Sequence, residues 1–125
     1  EGLRRYLASG APADRVTLSS DAGGCLPCFD AEGRVSSMDV GHSGALLETL
    51  RALADGGVPL EAALPAFTAN PARLLRLARK GRVEAGADAD LVALDATGGA
   101  HTVIIRGEIH VRDGQAVRRG TFDSR

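Results

Sequence analysis

The stretch Val16-Thr-Leu-Ser-Ser-Asp21 decides which fold class the sequence predicts. Its first three residues are a short β-prone run, and its last residues begin a polar loop that contains glycine. The segment before it, Gly2–Ala8, carries leucines four positions apart, which favours a helix. A helix, a short buried strand and a polar loop in this order are typical of α/β proteins. The sequence therefore predicts an α/β fold.

Three further helices are predicted between residues 44 and 80. The clearest covers residues 44–54, whose leucines fall on one face. The second begins at Pro59, and Pro65 should kink or end it because proline removes a backbone donor. The third begins with Asn70 as the N-cap and Pro71 as the first helical residue, and it should end at Lys80-Gly81. The leucines of this third helix that we expect to be buried are Leu74, Leu75 and Leu77.

The sequence between the β-prone run and these helices, residues 22–43, reads as a long loop. Gly, Pro, Ser and Asp recur there and no periodic pattern holds, and loops of this length are usually functional or disordered. Residues 81–125 read instead as short strands separated by glycine turns. Asp113-Gly114 is a strong signal for a hairpin turn. The strand candidates are residues 89–94, 102–105, 108–111 and 116–118.

Composition limits the classes of function. The 125 residues are 44% apolar but only 3% aromatic, so a single core must be built from Leu, Val, Ile and Ala. The net charge of −1 gives no general attraction to nucleic acid or to an anionic membrane, and we expect neither as a partner. The apolar runs are far too short to span a bilayer. Two cysteines and no visible secretory signal predict a reducing compartment and a cytoplasmic location.

Asp21 is the first candidate for chemistry, because it follows a β-prone run and begins a loop. In α/β folds, working residues collect at the carboxyl ends of strands, where loops extend from a rigid sheet. A carboxylate there can bind a metal ion or act as a general base. Most loop aspartates instead form an Asx turn or cap a helix, and the local sequence leaves both interpretations open.

Cys25 and Cys28 have the C-x-x-C spacing of a zinc knuckle or a redox pair. A structural zinc site requires four ligands, and the sequence contains no second cysteine pair. A redox pair should lie at the start of a helix, and no helical period follows here. We therefore interpret these residues as two unrelated loop cysteines.

Several stretches, in order along nearly the whole chain, resemble the amidohydrolase superfamily. Residues 16–21 resemble the eighth barrel strand, which ends in that family's catalytic aspartate. Thr68-Ala-Asn-Pro-Ala-Arg-Leu-Leu75 is similar to the T-x-N-P-A helix that follows the barrel. Gly81-Arg-Val-Glu-Ala-Gly-Ala-Asp-Ala-Asp-Leu-Val92 resembles the return strand into a small β-sandwich. Val103-Ile-Ile-Arg-Gly107 with Val111-Arg-Asp-Gly114 resembles the closing hairpin of that sandwich.

This resemblance implies a specific architecture. Residues 1–80 would be the C-terminal end of a (β/α)8 metallo-dependent hydrolase barrel, with strand eight and the helices that follow it. Residues 81–125 would be the C-terminal half of the small β-sandwich. A complete barrel of this type takes about 250 residues, so the resemblance also implies that most of the barrel lies outside this chain.

The loop after Asp21 narrows the resemblance to the isoaspartyl (β-aspartyl) dipeptidases. This likeness implies a binuclear metal site, with zinc as the expected metal, that activates a bridging water to cleave a small dipeptide. Asp21 would ligate the metal, take the proton of the water and later protonate the leaving amine. A homo-oligomer is also expected. The stretches that carry the likeness are Ser19-Ser-Asp-Ala-Gly-Gly-Cys-Leu-Pro27, Phe29-Asp-Ala-Glu-Gly33, Gly44-Ala-Leu-Leu-Glu-Thr-Leu50 and Val117-Arg-Arg-Gly-Thr-Phe122.

The sequence departs from this family in two ways. Cys25 stands where the family has a serine that contacts the substrate, and a thiol is a weaker hydrogen-bond donor than a hydroxyl. The family's H-x-H pair, modified lysine and two later histidines have no counterpart here, so most metal ligands would lie outside this chain and the chain alone should be inactive. The alternatives are another amidohydrolase, such as an N-acyl-amino-acid deacylase or a dihydroorotase-like enzyme, and a non-catalytic β-rich fragment.

Overall fold

The computed structural model describes residues 1–118 and 120 as a mixed α/β chain with two separate antiparallel sheets. The predicted α/β class is confirmed. No helix among the described residues is long and apolar enough to cross a membrane. In chain order the elements are α1 (Gly2–Ala8), β1 (Cys25–Phe29), β2 (Val35–Val40), α2 (Ala45–Asp55), α3 (Leu60–Ala63), α4 (Ala69–Leu74), β3 (Leu91–Leu94), β4 (Ala100–Ile105), β5 (Glu108–Arg112) and β6 (Gln115–Ala116).

The core lies where α1 and α2 meet the end of α3. Leu3 of α1 packs with Leu50 and Leu53 of α2, and Ala63 and Ala66 close the cluster. Burying a leucine side chain contributes about 1.5–3 kcal/mol, so these three leucines are the main stabilising contacts of the helical part. Among the described residues no large side chain is completely buried, which makes this core small for the length of the chain.

The first three predicted helices are present. The helix predicted at Gly2–Ala8 is confirmed with the same bounds, and the one predicted at residues 44–54 is α2, displaced by one residue. Pro59 is the N-cap of α3. Pro65 ends that helix, because the backbone changes there to a single 3-10 turn at Leu64–Ala66.

The strand predicted at residues 16–18 is not formed in this chain. The backbone is extended at Val16 (φ −117°, ψ 139°), but no described segment pairs with it as a strand. The N–H of Leu18 donates instead to the carbonyl oxygen of Ala66 at 3.0 Å. A β-strand requires a neighbour for its remaining donors and acceptors, so an extended segment alone does not become one.

Residues 22–43 form a β-hairpin, and their prediction as a loop was wrong. The strands β1 and β2 pair antiparallel along their whole length, with a bulge next to Phe29. Asp30 holds the turn at the tip, because its Oδ1 accepts the N–H groups of Glu32 (3.0 Å) and Arg34 (2.8 Å). Every residue of both strands is exposed, so no buried face existed whose alternation could predict strands.

The second sheet is a meander in which β3, β4, β5 and β6 pair in chain order. All four predicted strands are present, with bounds that differ from the prediction by up to two residues. Asp113 and Gly114 have φ values of 51° and 72°, the left-handed pair that a two-residue type I′ turn requires. The predicted hairpin turn is therefore confirmed.

The helix α4 differs from the prediction at its start, in its leucines and at its end, which lies at Leu74 rather than at Lys80-Gly81. Its N-cap is Thr68, and Asn70 lies inside the helix with 5% of its surface exposed. The side-chain nitrogen of Asn70 donates to the carbonyl oxygens of Ala13 and Val16, both at 2.8 Å. The helix ends at residue 74 and no described element covers its outer face, so the three leucines predicted to be buried are exposed. Their exposed fractions are 70% for Leu74, 65% for Leu75 and 42% for Leu77.

A cluster of ion pairs joins the segment after α4 to the second sheet. Asp88 pairs with Arg79 (2.7 Å) and Lys80 (3.1 Å), and Lys80 also pairs with Asp90. Oδ1 of Asp90 accepts the N–H of Arg106 in the β4–β5 turn at 2.7 Å. The hydrogen bond from Arg79 lowers the pKa of Asp88, the one from Lys80 lowers the pKa of Asp90, and the Asp90 carboxylate raises the pKa of Lys80. We call these five residues the junction cluster.

Candidate functional site

Asp21 lies at the base of the hairpin, four residues before the start of β1. Its backbone is left-handed, with a φ of 49°, which is uncommon for residues other than glycine. Its N–H donates to Oγ of Ser19 at 3.3 Å, and its carbonyl oxygen accepts the N–H of Gly24 at 2.9 Å. The resulting tight turn, residues 21–24, leads from the extended segment into the hairpin. Backbone conformations of this kind concentrate at functional sites.

Two glycines allow the chain to close around Asp21. The N–H of Gly41 donates to the carbonyl oxygen of Gly24 at 2.9 Å, and the carbonyl oxygen of Gly41 accepts the N–H of Gly23 at 2.8 Å. A side chain at Gly41 would collide with the backbone carbonyl of Asp21, and one at Gly24 would lie 2.5 Å from Oδ1 of Asp21. The sequence analysis missed Gly41, because this close approach joins residues twenty positions apart.

The carboxylate of Asp21 is exposed and forms no hydrogen bond or ion pair with another described residue. It is therefore available as a ligand or as a base. A zinc site uses three or four protein ligands, and within residues 1–118 and 120 no three His, Cys, Asp or Glu residues come together as a possible metal site. The described part of the chain fits one carboxylate of a metal site and does not fit a complete one.

Cys25 and Cys28 are free and exposed, and both belong to β1. Side chains alternate along a strand, so residues three positions apart point to opposite faces. Their Cα atoms are about 10 Å apart at roughly 3.3 Å per residue, which exceeds the separation of about 7 Å that a disulfide tolerates. This geometry agrees with the interpretation of two unrelated cysteines. Cys25 directly follows the turn that holds Asp21, and Cys28 lies farther along the strand.

His42 is the histidine that comes nearest along the chain to the Asp21 turn, because it follows Gly41. Its Nε2 lies 3.5 Å from Oε2 of Glu48 in the first turn of α2, and both side chains are more than half exposed. The imidazole is thus held against the helix. It does not combine with Asp21 and a third described residue into a metal site.

The described residues thus combine a mixed α/β scaffold with an exposed, unpaired aspartate on a turn. Residues 1–110 match the family model described as "Amidohydrolase family". The chain belongs to the amidohydrolase family, whose members are generally metal-dependent. The matched region contains Asp21, the hairpin, all four helices and most of the second sheet.

Solved structures narrow the comparison. The chain is similar to the β-aspartyl dipeptidase of Fervidobacterium islandicum AW-1 in complex with β-Asp-Leu dipeptide, with a TM-score of 0.83 and 35% identity over 97% of this chain and 32% of that chain. A second structure of the enzyme from that organism matches with a TM-score of 0.77 and 30% identity over 97% of this chain and 29% of that chain. The chain spans about a third of the length of these structures. The family and these neighbours support a hydrolase.

A more distant structure shares the fold alone. N-acetylglucosamine-6-phosphate deacetylase from Pasteurella multocida matches with a TM-score of 0.64 and 18% identity, over 87% of this chain and 33% of that chain. The tail at residues 117–122, which resembles isoaspartyl dipeptidases in sequence, extends beyond the described residues. Arg119, Thr121 and Phe122 lie outside them, so that part of the resemblance stays a prediction.

Proposed function

We propose that the protein containing this chain is a metal-dependent hydrolase of isoaspartyl (β-aspartyl) dipeptides. Asp21 is a metal ligand in this proposal, and it takes the proton of the attacking water and returns it to the leaving amine. The observation that carries the proposal is the exposed, unpaired carboxylate of Asp21 on a left-handed turn. It stands in a chain that is 35% identical to a β-aspartyl dipeptidase bound to β-Asp-Leu. Zinc is the proposed metal, in a binuclear site whose other ligands come from outside this chain.

The proposed architecture places residues 1–80 at the C-terminal end of a (β/α)8 barrel and residues 81–125 in the C-terminal half of a small β-sandwich. Two observations support it. The backbone is extended at Val16, and no described strand pairs with residues 16–18, as expected for a barrel strand without its neighbours. The leucines at the end of α4 are exposed, as they would be if further chain normally covered them.

We also propose that Cys25 contacts the dipeptide. It follows Gly24, which itself approaches the Asp21 carboxylate closely, so the start of β1 lies beside the reacting group. A thiol there is a weaker donor than a hydroxyl, and this should alter affinity for the substrate more than turnover. A homo-oligomer and a cytoplasmic location are further predictions of this proposal.

Another amidohydrolase activity, such as removal of an acyl group from an amino acid or dihydroorotase-like chemistry, is the alternative. The deacetylase match is 18% identical and supports the fold alone, whereas both dipeptidase structures are at least 30% identical. The dipeptidase is therefore the favoured activity. A non-catalytic β-rich fragment is the second alternative for the isolated chain, since residues 1–118 and 120 bring no three possible metal ligands together.

The test is hydrolysis of β-Asp-Leu by the protein that contains this chain, with Asp21→Asn compared against Asp39→Asn. Asp39 is another exposed carboxylate of the hairpin region, and its side chain accepts only the N–H of Val40 among the described residues. We expect Asp21→Asn to lower kcat about 100-fold or more, because general acid–base catalysis typically contributes that much. Asp39→Asn should retain the parent rate.

Three outcomes would count against the proposal. Full activity of the Asp21→Asn protein would remove the assigned role of Asp21. Cleavage of N-acyl amino acids without cleavage of β-Asp-Leu would favour the other amidohydrolases. Turnover of β-Asp-Leu by residues 1–125 alone with added zinc would show that the chain does not depend on ligands from elsewhere.

A further inference from the structure

A cleft separate from Asp21 lies between the C-terminal half of α2 and the β3–β4 turn. Its volume is about 420 Å³, within the range of small-molecule sites, which is about 300–1,000 Å³. The floor is apolar and consists of Leu50, Leu60 and Leu94. None of the described residues that line the cleft belongs to the Asp21 turn or to the hairpin.

Arg51 is fixed at one wall of this cleft. Its Nε donates to the carbonyl oxygen of Gly98 at 2.9 Å. A side chain at Gly98 would lie 2.8 Å from Cγ of Arg51, and the φ of +75° at this position also favours glycine. The terminal nitrogens of Arg51 form no hydrogen bond or ion pair with a described residue. Because Nε is already hydrogen-bonded, the terminal nitrogens are held in place and can form a bidentate contact with a carboxylate.

Asp55 stands one helical turn after Arg51 and also lines the cleft. Arginine and aspartate four positions apart on a helix commonly pair, but these two do not, and Asp55 forms no ion pair with any described residue. Across the cleft, Asp95 accepts hydrogen bonds from the N–H groups of Thr97 and Gly99, both at 2.8 Å. The hydrogen bond from the Thr97 hydroxyl and, to a smaller extent, the charge of Arg51 lower the pKa of Asp95. The cleft thus presents a guanidinium and two carboxylates above an apolar floor.

We propose that this cleft binds a small apolar α-amino acid as a zwitterion. The carboxylate of the ligand binds the terminal nitrogens of Arg51, its ammonium group binds Asp55, and its side chain lies over Leu50, Leu60 and Leu94. A simple anion would be repelled by the two carboxylates, and an uncharged apolar ligand would leave the terminal nitrogens of Arg51 and the Asp55 carboxylate without a described partner. Leucine is the type of amino acid that hydrolysis of β-Asp-Leu releases, and this link to a reaction product rests on the proposed function. The proposed binding of an amino acid in this cleft does not depend on the proposed function.

The experiment is calorimetric titration of the Asp21→Asn protein with leucine. Leucine has no amide bond to hydrolyse, so the titration measures binding alone, and this variant lacks the Asp21 carboxylate at which a reaction product could also bind. Leucinamide lacks the carboxylate, N-acetylleucine lacks the ammonium group and serine lacks the apolar side chain. We expect leucine to bind and each of the three analogues to bind at least about tenfold more weakly, since each loses one of the three contacts.

Site variants complete the test. Arg51→Gln and Asp55→Asn should each weaken leucine binding about tenfold or more, whereas Asp39→Asn in the hairpin should leave it unchanged. Arg51→Gln also loses the Gly98 contact, so its thermal unfolding is measured in parallel, and Asp55→Asn carries the test if that variant does not fold. Absence of leucine binding, equal binding of leucinamide and leucine, or unchanged binding by Asp55→Asn would each overturn the proposal. None of these results affects the β-Asp-Leu assay of the parent protein.

Discussion

The side-chain amide of Asn70 donates a hydrogen bond of 2.8 Å to the carbonyl oxygen of Val16, although 54 positions separate the two residues. The same nitrogen donates to Ala13 at the same distance. A buried residue of α4 therefore fixes the course of the segment that leads to Asp21. This contact explains why an asparagine stands inside a short helix, where it has low intrinsic helix propensity.

Replacement of Asn70 by alanine should lower the free energy of unfolding by about 1–3 kcal/mol, because carbonyl groups beside the core lose their donor. Urea denaturation measures this change. Thr68→Ala is the matched control, since its hydroxyl makes an exposed bond to Leu64 within the same region and makes no capping hydrogen bond to α4. Its cost should stay within about 0.5 kcal/mol, as is usual for surface positions. Equal losses in the two variants would contradict the anchoring role of Asn70.

Gly41→Ala should destabilise the chain by about 1–3 kcal/mol, the usual cost of forcing extra volume into a packed position. The added methyl group meets the carbonyl of Asp21, so the turn must move. In the protein that contains this chain, hydrolysis of β-Asp-Leu should fall as well. Gly2→Ala is the control, because nothing lies within 4 Å of a side chain there. A Gly41→Ala protein with unchanged stability and activity would show that the turn does not require glycine.

The junction cluster should contribute stability that is lost in acid. The pKa values of Asp88 and Asp90 lie below the ordinary 3.8, so folding favours their ionised forms. That contribution is fully present above pH 3.8 and disappears as the pH falls through the lower folded-state values. The pKa of Lys80 is raised above 10.5, so its contribution is lost only as the pH rises past that raised value. Asp90→Asn should therefore lower the melting temperature at neutral pH and flatten its decline in acid.

Salt provides the control for this prediction. All members of the junction cluster that pair through side chains are partly or largely exposed, so added salt screens them. The difference in melting temperature between the parent and Asp90→Asn should shrink in about 1 M NaCl. A difference that is independent of both salt and pH would mean that the charge of Asp90 is not what stabilises the junction.

Leu74→Gln should change the stability of the isolated chain by less than about 0.5 kcal/mol, because the side chain is 70% exposed. Leu53→Ala, at 4% exposure, should cost about 2–5 kcal/mol by leaving a cavity in the core. If the proposed barrel covers α4, the same Leu74→Gln change should destabilise the longer protein more than the isolated chain. Equal effects in the two proteins would argue against that covering.

Local patterns were sufficient to predict the helices and the second sheet. The leucine spacing that predicts α2 and the backbone angles that Asp113-Gly114 favours depend on only a few neighbouring residues. The helix and the hairpin turn that they predict are both confirmed. The position of Asp21 at the end of an extended segment could also be anticipated. Its left-handed backbone and its contact with Gly41 could not, because they depend on residues twenty positions away.

The failures have a common physical cause, which is burial. The hairpin was missed because all residues of its two strands are exposed and show no alternating apolar face. The segment at residues 16–18 has strand propensity but no described partner, and the leucines after Asn70 have helical spacing but nothing to pack against. Propensity and periodicity describe what a segment can do, whereas the neighbours decide whether it does so.

The hairpin formed by β1 and β2 determines where this protein can tolerate changes of sequence during evolution. Its strands pack mainly against each other, and its tip is closed by local contacts among Asp30, Glu32 and Arg34. An insertion or deletion at residues 31–33 would therefore leave the core leucines and the Asp21 turn in place. The length and the residue types of the hairpin tip can therefore vary while the stability of the protein is retained. A mutational scan should find residues 31–33 among the most tolerant positions of the chain.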